Sequence, residues 1–563
     1  MASAITAGIG RIGGGVFVKF ESTKESVSTH EIPSWYDDAK FGIFIHWGLY
    51  SVPAWAPKTT KNIIEMMQEG GFNSTMPANP YAEWYLNSLR IDGSPVQQHH
   101  ARTFGSAYSY FDFSEKFETL SKSMNPTEWA EFFCNAGAKY VVMVTKHHDG
   151  YTLWPSKVKN PKIDRYFSRR DLVGELTNAV RAKGMKMGLY YSGLLDWTVK
   201  TRPIRNIFDM INNGEMGKAY TEYATNQWME LIERYKPSIL WNDIGYPADY
   251  DLNKLFAHYY NEVGDGVVND RWSQTKIQGG PIGRAFVYLI VRMLYAKMKK
   301  RGELTMEVKG HHDFTTPEYS VYKEARKKKW ESTRGVGKSF AYNQVEVEAD
   351  MLTGKEIIHM LSDIVSKNGN LLLNVGPMAD GTIPEMQKRP LLEVGDWLKA
   401  NGEAIYGTRP WTRAEGVTED NKPVRFTQKD NILYAIVNDG VLTKTLTIKD
   451  LGVSSNATVR LLGGNQAGNG ASRGSFADQK TDDAASGGSL VDKKTDDAAP
   501  GESSGIGTEA LAWHMADGDL VIDLPDGMPR QHAYAFAIST TGIELIRHVF
   551  QPPFVNSGLE KEI

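Results

Sequence analysis

The residues best equipped for chemistry lie in the segment Leu240-Trp241-Asn242-Asp243-Ile244-Gly245-Tyr246-Pro247. A short apolar run, Ser238 to Leu240, leads into a single carboxylate, Asp243, with aromatic side chains before and after it. Gly245 and Pro247 then stop the strand. A carboxylate at the exposed end of a buried strand suits general acid/base work. Its aromatic neighbours suit a substrate ring with apolar faces, such as a sugar. An aspartate in this place also caps turns, so the reading depends on what else reaches it.

Glycoside cleavage needs a second carboxyl group to protonate the leaving oxygen. Glu318, in Asp313-Phe314-Thr315-Thr316-Pro317-Glu318-Tyr319, is the best partner. The proline before it fixes a loop, and Tyr319 offers an apolar contact of the kind that raises a carboxyl pKa. A solvated loop glutamate is the plainer alternative. Glu83 is a third acid, set among aromatics in Asn79-Pro80-Tyr81-Ala82-Glu83-Trp84-Tyr85. His147-His148-Asp149 raises the question of a metal. Adjacent strand residues point to opposite faces, and the H-x-H spacing that shares one face is absent. At a strand end the two imidazoles suit hydrogen bonds to sugar hydroxyls, so no metal is expected. His46 stands at the same place on its own strand. There is no G-x-S-x-G, no Walker A loop, no H-E-x-x-H and no C-x-x-C. The one cysteine, Cys134, beside Phe132 and Phe133, reads as a core residue.

The elements that position these groups alternate in type. Phe41–Ile45 is an apolar strand ending in His46-Trp47-Gly48. Asn125-Pro126-Thr127-Glu128 starts a helix, with Asn as cap and Pro in the first turn, and the helix ends near Gly137. The strand Tyr140–Thr145 follows and ends in Lys146-His147-His148. A helix over about 171–183, with Gly184 after it, precedes the strand Met185–Tyr191. A helix over 223–235 precedes the strand that ends in Asp243. A helix through Ile357, Leu361 and Val365, capped by Gly369, precedes the strand Leu371–Val375. Near-continuous apolar strands separated by amphipathic helices are the pattern of a parallel sheet covered by helices. Polar and aromatic residues gather at the C-terminal strand ends, where a (β/α)8 barrel carries its site. A doubly wound sheet is the competitor, but no G-x-G-x-x-G follows a strand.

The expected organisation is a poorly ordered lead-in over 1–30, a (β/α)8-like barrel over 31–408, and a C-terminal antiparallel β-sandwich over 409–563. Short strands without intervening helices mark the sandwich. A stretch at 463–507, rich in Gly, Ser, Ala and Asp, holds the near-repeat Lys480–Ala485 and Lys494–Ala499 and reads as a disordered loop. Residues 273–310 form an insertion. Its apolar run Phe286–Met298, followed by Lys299-Lys300-Arg301, reads as a helix packed on the barrel or on another subunit, with a membrane-surface helix as the alternative.

The chain has 563 residues and a net charge of −3, which speaks against nucleic-acid binding. Fourteen Trp and 26 Tyr suit stacking on sugars. One cysteine excludes an intramolecular disulfide, and the glycines and Arg11 of the first 20 residues interrupt a signal-peptide core. A cytoplasmic location without a transmembrane segment is therefore expected. Asn73-Ser74-Thr75 and Asn456-Ala457-Thr458 match the glycosylation sequon and read as chance matches.

The ordered motifs resemble a known family. Trp35 through Trp55, Asn79 to Tyr85, Lys146 to Gly150, Tyr190-Tyr191-Ser192-Gly193, Leu240 to Gly245, Asn269-Asp270-Arg271-Trp272, Lys329-Trp330-Glu331 and Asn370 to Pro377 are similar to those of the family 29 glycoside hydrolases, the α-L-fucosidases. The resemblance covers about residues 30 to 410. It implies a (β/α)8-like barrel with a C-terminal sandwich, and a retaining double displacement without metal or organic cofactor. It implies Asp243 as nucleophile and Glu318 as acid/base. It places His46, Glu83, Trp84, His147, His148, Tyr190, Trp241 and Arg271 around the sugar. The expected partners are a fucosylated oligosaccharide or glycoconjugate and further copies of the chain. A catalytically silent fucose-binding protein, or a retaining glycosidase for another sugar, are the alternatives. Two departures stand out. The insertion separates Arg271 from Glu318, and Thr75 stands where relatives can carry an aromatic that closes the pocket.

Overall fold

The computed structural model describes residues 9–12, 15–214, 216–274, 310–439, 444–463 and 510–539 without 527 and 529, with isolated positions between 280 and 293. The expected loop over 463–507 beyond Gly463, the near-repeat and most of the apolar insertion helix lie outside the described residues.

A short antiparallel hairpin, β1 (Ile9–Ile12) and β2 (Gly15–Val18), comes first. The lead-in is not wholly loose. A helical turn over Lys24–Val27 buries Val27. Phe20 exchanges two backbone hydrogen bonds with the Asn261 side chain, which ties this stretch to the outer helix Leu252–Glu262.

Seven parallel strands form the main sheet: β3 (Phe41–Ile45), β4 (Tyr140–Lys146), β5 (Lys186–Ser192), β6 (Ile239–Asp243), β7 (Val267–Val268), β8 (Trp330–Gly335) and β9 (Gly369–Val375). Their order is β7-β6-β5-β4-β3-β9-β8. The sheet curls until its edges meet. Asn269 bridges Phe314 and Thr315 bridges Trp330, both in the parallel sense. The Asp313 amide donates to Val268 and the Thr315 amide to Lys329. Residues 313–315 thus act as a very short strand between β7 and β8 and complete the (β/α)8 ring. Nearly every strand residue is buried, because helices cover the outside and side chains fill the inside.

The helices start where the caps place them. Asn125 accepts from the Thr127 and Glu128 amides and opens Pro126–Asn135. Asp171 opens Leu172–Ala182. The helix before β6 is longer than expected, Lys218–Tyr235, because Tyr220 and Thr221 also find buried positions. Gly369 does not cap its helix. Asn368 takes the left-handed turn at φ 73°, and Gly369 opens β9, where a Cβ would sit 2.6 Å from Ile364 and 2.7 Å from Trp330. Cys134 is also corrected. It lies on the exposed side of its helix, while Phe133 one position earlier faces the core.

After the barrel, β10 (Arg409–Val417), β11 (Pro423–Lys429), β12 (Ile432–Val437), β17 (Tyr534–Ser539) and β14 (Val459–Leu461) make an antiparallel sheet in that order. β13 (Thr445–Ile448), β16 (Asp519–Asp523) and β15 (Trp513–Ala516) make a second. Strands β10 and β15 carried no sequence signal. Their exposed or half-exposed residues blur the alternation. The two sheets share a core of Phe426, Leu433, Ile448, Leu520, Ile522 and Phe536. Along β12 the alternate residues Tyr434 and Ile436 face the barrel core instead, so both faces of this sheet are buried. No helix among the described residues is long and apolar enough to cross a membrane.

Candidate active site

The C-terminal ends of the barrel strands surround one cleft of about 180 Å³. Its lining includes every residue expected from the sequence: His46, Glu83, Trp84, His147, His148, Tyr190, Trp241, Asp243, Arg271 and Glu318. Asp243 ends β6 and Tyr190 stands on β5, and the register pairs Ser192 with Asp243 and Tyr190 with Trp241. Glu83 and Trp84 come from a single helical turn, Ala82–Trp84.

The two acids meet at Arg271. Its Nη1 donates to Asp243 Oδ1 at 2.9 Å and its Nη2 to Glu318 Oε2 at 3.2 Å. Nε and Nη2 also donate to the Thr316 hydroxyl and carbonyl, which fixes the plane of the guanidinium. The group lies 4.8 Å over the Trp241 ring, a cation–π contact. Tyr190 donates to Asp243 Oδ2 at 2.9 Å. Burial by itself would raise the Asp243 carboxyl. The Arg271 charge and the Arg271 and Tyr190 hydrogen bonds outweigh it and hold the carboxyl below its usual range. Asp243 is therefore an anion across the physiological range.

Glu318 takes a hydrogen bond from the Tyr81 hydroxyl at 2.8 Å. The Tyr319 hydroxyl donates to the Lys338 carbonyl and its ring packs on Phe340. Tyr81 went unrecognised as a site residue, although it sits two positions before Glu83 in the motif. Glu331 is fully buried under the site. It accepts from the hydroxyls of Tyr36 and Tyr140 and from the Trp241 indole.

The histidines present acceptors. Asn374 uses its amide hydrogen on the Phe340 carbonyl, so its oxygen accepts from His46 Nδ1 at 2.6 Å. Ser192 donates to the Leu195 carbonyl, so its oxygen accepts from His148 Nδ1 at 2.6 Å. Each ring is left with a bare Nε2. Burial lowers His46 to about 4 and His148 to about 3, so both are neutral. His148 Nε2 lies 3.9 Å from Asp243 Oδ2. His147 and His148 lie just beyond β4, in a turn, with ring centres 4.0 Å apart. Strand geometry no longer separates them, and both reach the cleft. Beneath them the Lys146–Asp196 ion pair, 3.1 Å and fully buried, anchors the turn. Burial also lifts Glu83 to about 7, against donors from Ala341 and Ser339.

Thr75 does not face the cleft. Its hydroxyl donates to the Gly71 carbonyl, and Phe72 lines the cleft instead. Among the described residues, one group brings three possible metal ligands within 4.8 Å: His30, His311 and Asp313. It lies outside the cleft, five residues before Glu318, and Asp313 is already engaged by Tyr260 and the Val268 amide.

A parallel barrel with an ionised carboxylate, a second carboxyl and neutral hydroxyl acceptors at its C-terminal face defines the class of glycoside hydrolases. Comparison with known proteins narrows this. The alpha-L-fucosidase family profile matches residues 17–289 and 287–403. The alpha-L-fucosidase of Dictyostelium discoideum is 32% identical over 443 residues, 75% of this chain and 82% of that protein. Human tissue alpha-L-fucosidase is 31% identical over 447 residues, 78% and 82% of the two chains. The structure of Thermotoga maritima alpha-fucosidase in complex with fucose superposes with a TM-score of 0.70 at 37% identity, covering 92% of this chain and 100% of that one. The chain belongs to the alpha-L-fucosidase family.

Proposed function

We propose that the protein is a retaining exo-α-L-fucosidase that removes terminal fucose from oligosaccharides or glycoconjugates. The observation that carries this reading is the single guanidinium of Arg271 holding Asp243 and Glu318 in one cleft. In this reading Asp243 attacks the anomeric carbon while Glu318 protonates the departing oxygen. Glu318 then takes a proton from water, and the fucosyl–Asp243 ester is hydrolysed. The bare Nε2 atoms of His46 and His148 accept from sugar hydroxyls, and Phe44 and Phe340 offer apolar surface to the 6-methyl group.

Hydrolysis of 4-nitrophenyl α-L-fucoside, followed by NMR, tests the reading. The first product is α-L-fucose. A β-anomer formed first would overturn retention, and no turnover by folded protein would leave a fucose-binding protein.

A cytoplasmic enzyme is supported by the single cysteine. Fractionation that found the native protein secreted or in lysosomes would overturn that placement. A homo-oligomer is supported by the exposed Leu289, Ile290 and Met293 of the insertion. Light scattering that gave a monomer mass would refute it.

A further inference from the structure

The cleft has a second surface that the sugar chemistry leaves unused. Ile64, Met67, Phe72, Met210 and Ile244 line it together. Four of them come from short helices outside the barrel strands: Ile63–Gly70, Phe72–Thr75 and Ile207–Asn213. All five are partly buried and packed on the main core, so the wall is built before a ligand arrives. The helix that bears Ile64 and Met67 is locked at its start by a reciprocal cap between Asn62 and Glu65. Ile244 follows Asp243 directly and holds φ at 58°. A β-branched residue is rare in that region, where glycine would rest unstrained. The packing therefore keeps an isoleucine side chain beside the reacting carboxylate against a local cost.

We infer that this wall is the aglycone-binding face, and that among fucosylated glycans and other fucosides it favours those whose leaving group presents an apolar or aromatic surface, such as the apolar face of a sugar ring. The inference rests on the fucosidase reading above. The five side chains offer at most the weak acceptor sulfurs of two methionines to replace the water that a polyhydroxylated leaving group gives up, and burying unpaired hydroxyls is costly. An aryl or alkyl group gains from the same burial. The two methionines let the wall adjust to different shapes.

The test compares kcat/KM for 4-nitrophenyl α-L-fucoside with that for α-L-fucosyl fluoride, whose leaving group is too small to reach the wall. Taking the ratio for each enzyme separates the aglycone contribution from general damage to the site. In Met210→Ser and Ile64→Ser the ratio falls about tenfold, equivalent to about 1.4 kcal/mol of aglycone contact. Met210→Leu restores most of it. A ratio unchanged in both serine variants overturns the inference and makes the wall a structural lining. A wild-type protein inert toward both substrates overturns the fucosidase reading itself, and the inference with it.

Discussion

Asp243 and Glu318 are held by neighbouring nitrogens of one guanidinium, at 2.9 Å and 3.2 Å from Arg271. Two acids so joined differ in their other partners. Asp243 also accepts from Tyr190 and is nearly sealed from solvent. Glu318 accepts from Tyr81 and keeps 23% of its side chain exposed. In the proposed mechanism the more enclosed anion attacks. The more open acid then trades protons with the leaving group and with water.

Replacing the attacking group tests the first half. Asp243→Gly is expected to lose more than about 10³-fold in kcat. Added azide should restore part of it on an aryl fucoside and yield a β-fucosyl azide. Recovery without azide, or an unchanged rate, would remove Asp243 from the nucleophile role.

The leaving group reports on Glu318. Glu318→Gln should lose about 10²- to 10⁴-fold on sugar-linked fucosides. It should lose much less on 4-nitrophenyl fucoside, whose departure needs little protonation. Equal losses on both would point away from acid catalysis and towards Glu83.

Arg271 sets the acid limb of the pH profile. Burial raises the Asp243 carboxyl, and Arg271 is the main group that lowers it again. In the wild type Asp243 stays ionised to below the ordinary carboxylate range, so activity persists on the acid side. In Arg271→Met burial prevails and the pKa rises. The acid limb of kcat/KM should move towards neutral pH, and an unmoved limb would contradict the electrostatic role.

Glu331 makes a stability prediction. Burial raises it to about 7 despite its three donors. The folded protein then binds a proton that the unfolded chain has released between about pH 4.5 and 7. Stability falls as pH rises through that window. Glu83 and Glu346, also raised to about 7, contribute in the same sense. Glu331→Gln should cost about 2 kcal/mol, because an amide cannot accept from all three donors equally. It should also flatten the fall of Tm between pH 5 and pH 7, a slope read directly by calorimetry. A slope as steep as the wild type's would place the titration elsewhere.

The order of strands and helices was legible because it is written in local periodicity. Asn125 and Asp171 cap the helices their positions announce, and the apolar runs before His46, His147 and Asp243 are strands. Residues 313–315 were not legible as a strand, since one bridge on each side is too few to leave a pattern. Which residues line the cleft, the two acids among them, could be read from the motifs, each of which is short and contiguous.

Their relations to one another could not. Tyr81 and Glu318 are 237 positions apart, and His46 and Asn374 are 328 apart. Which imidazole nitrogen faces the sugar depends on those distant partners, and so does the charge state of Asp243. The apolar wall is assembled from three helices and a strained loop residue that no local period connects. The sequence by itself determined which chemical groups the barrel would carry and at which strand ends. Only the tertiary structure decided their protonation, their pairing through Arg271 and the apolar wall that shares their cleft, because hydrogen bonds, burial and charge act through space and not along the chain.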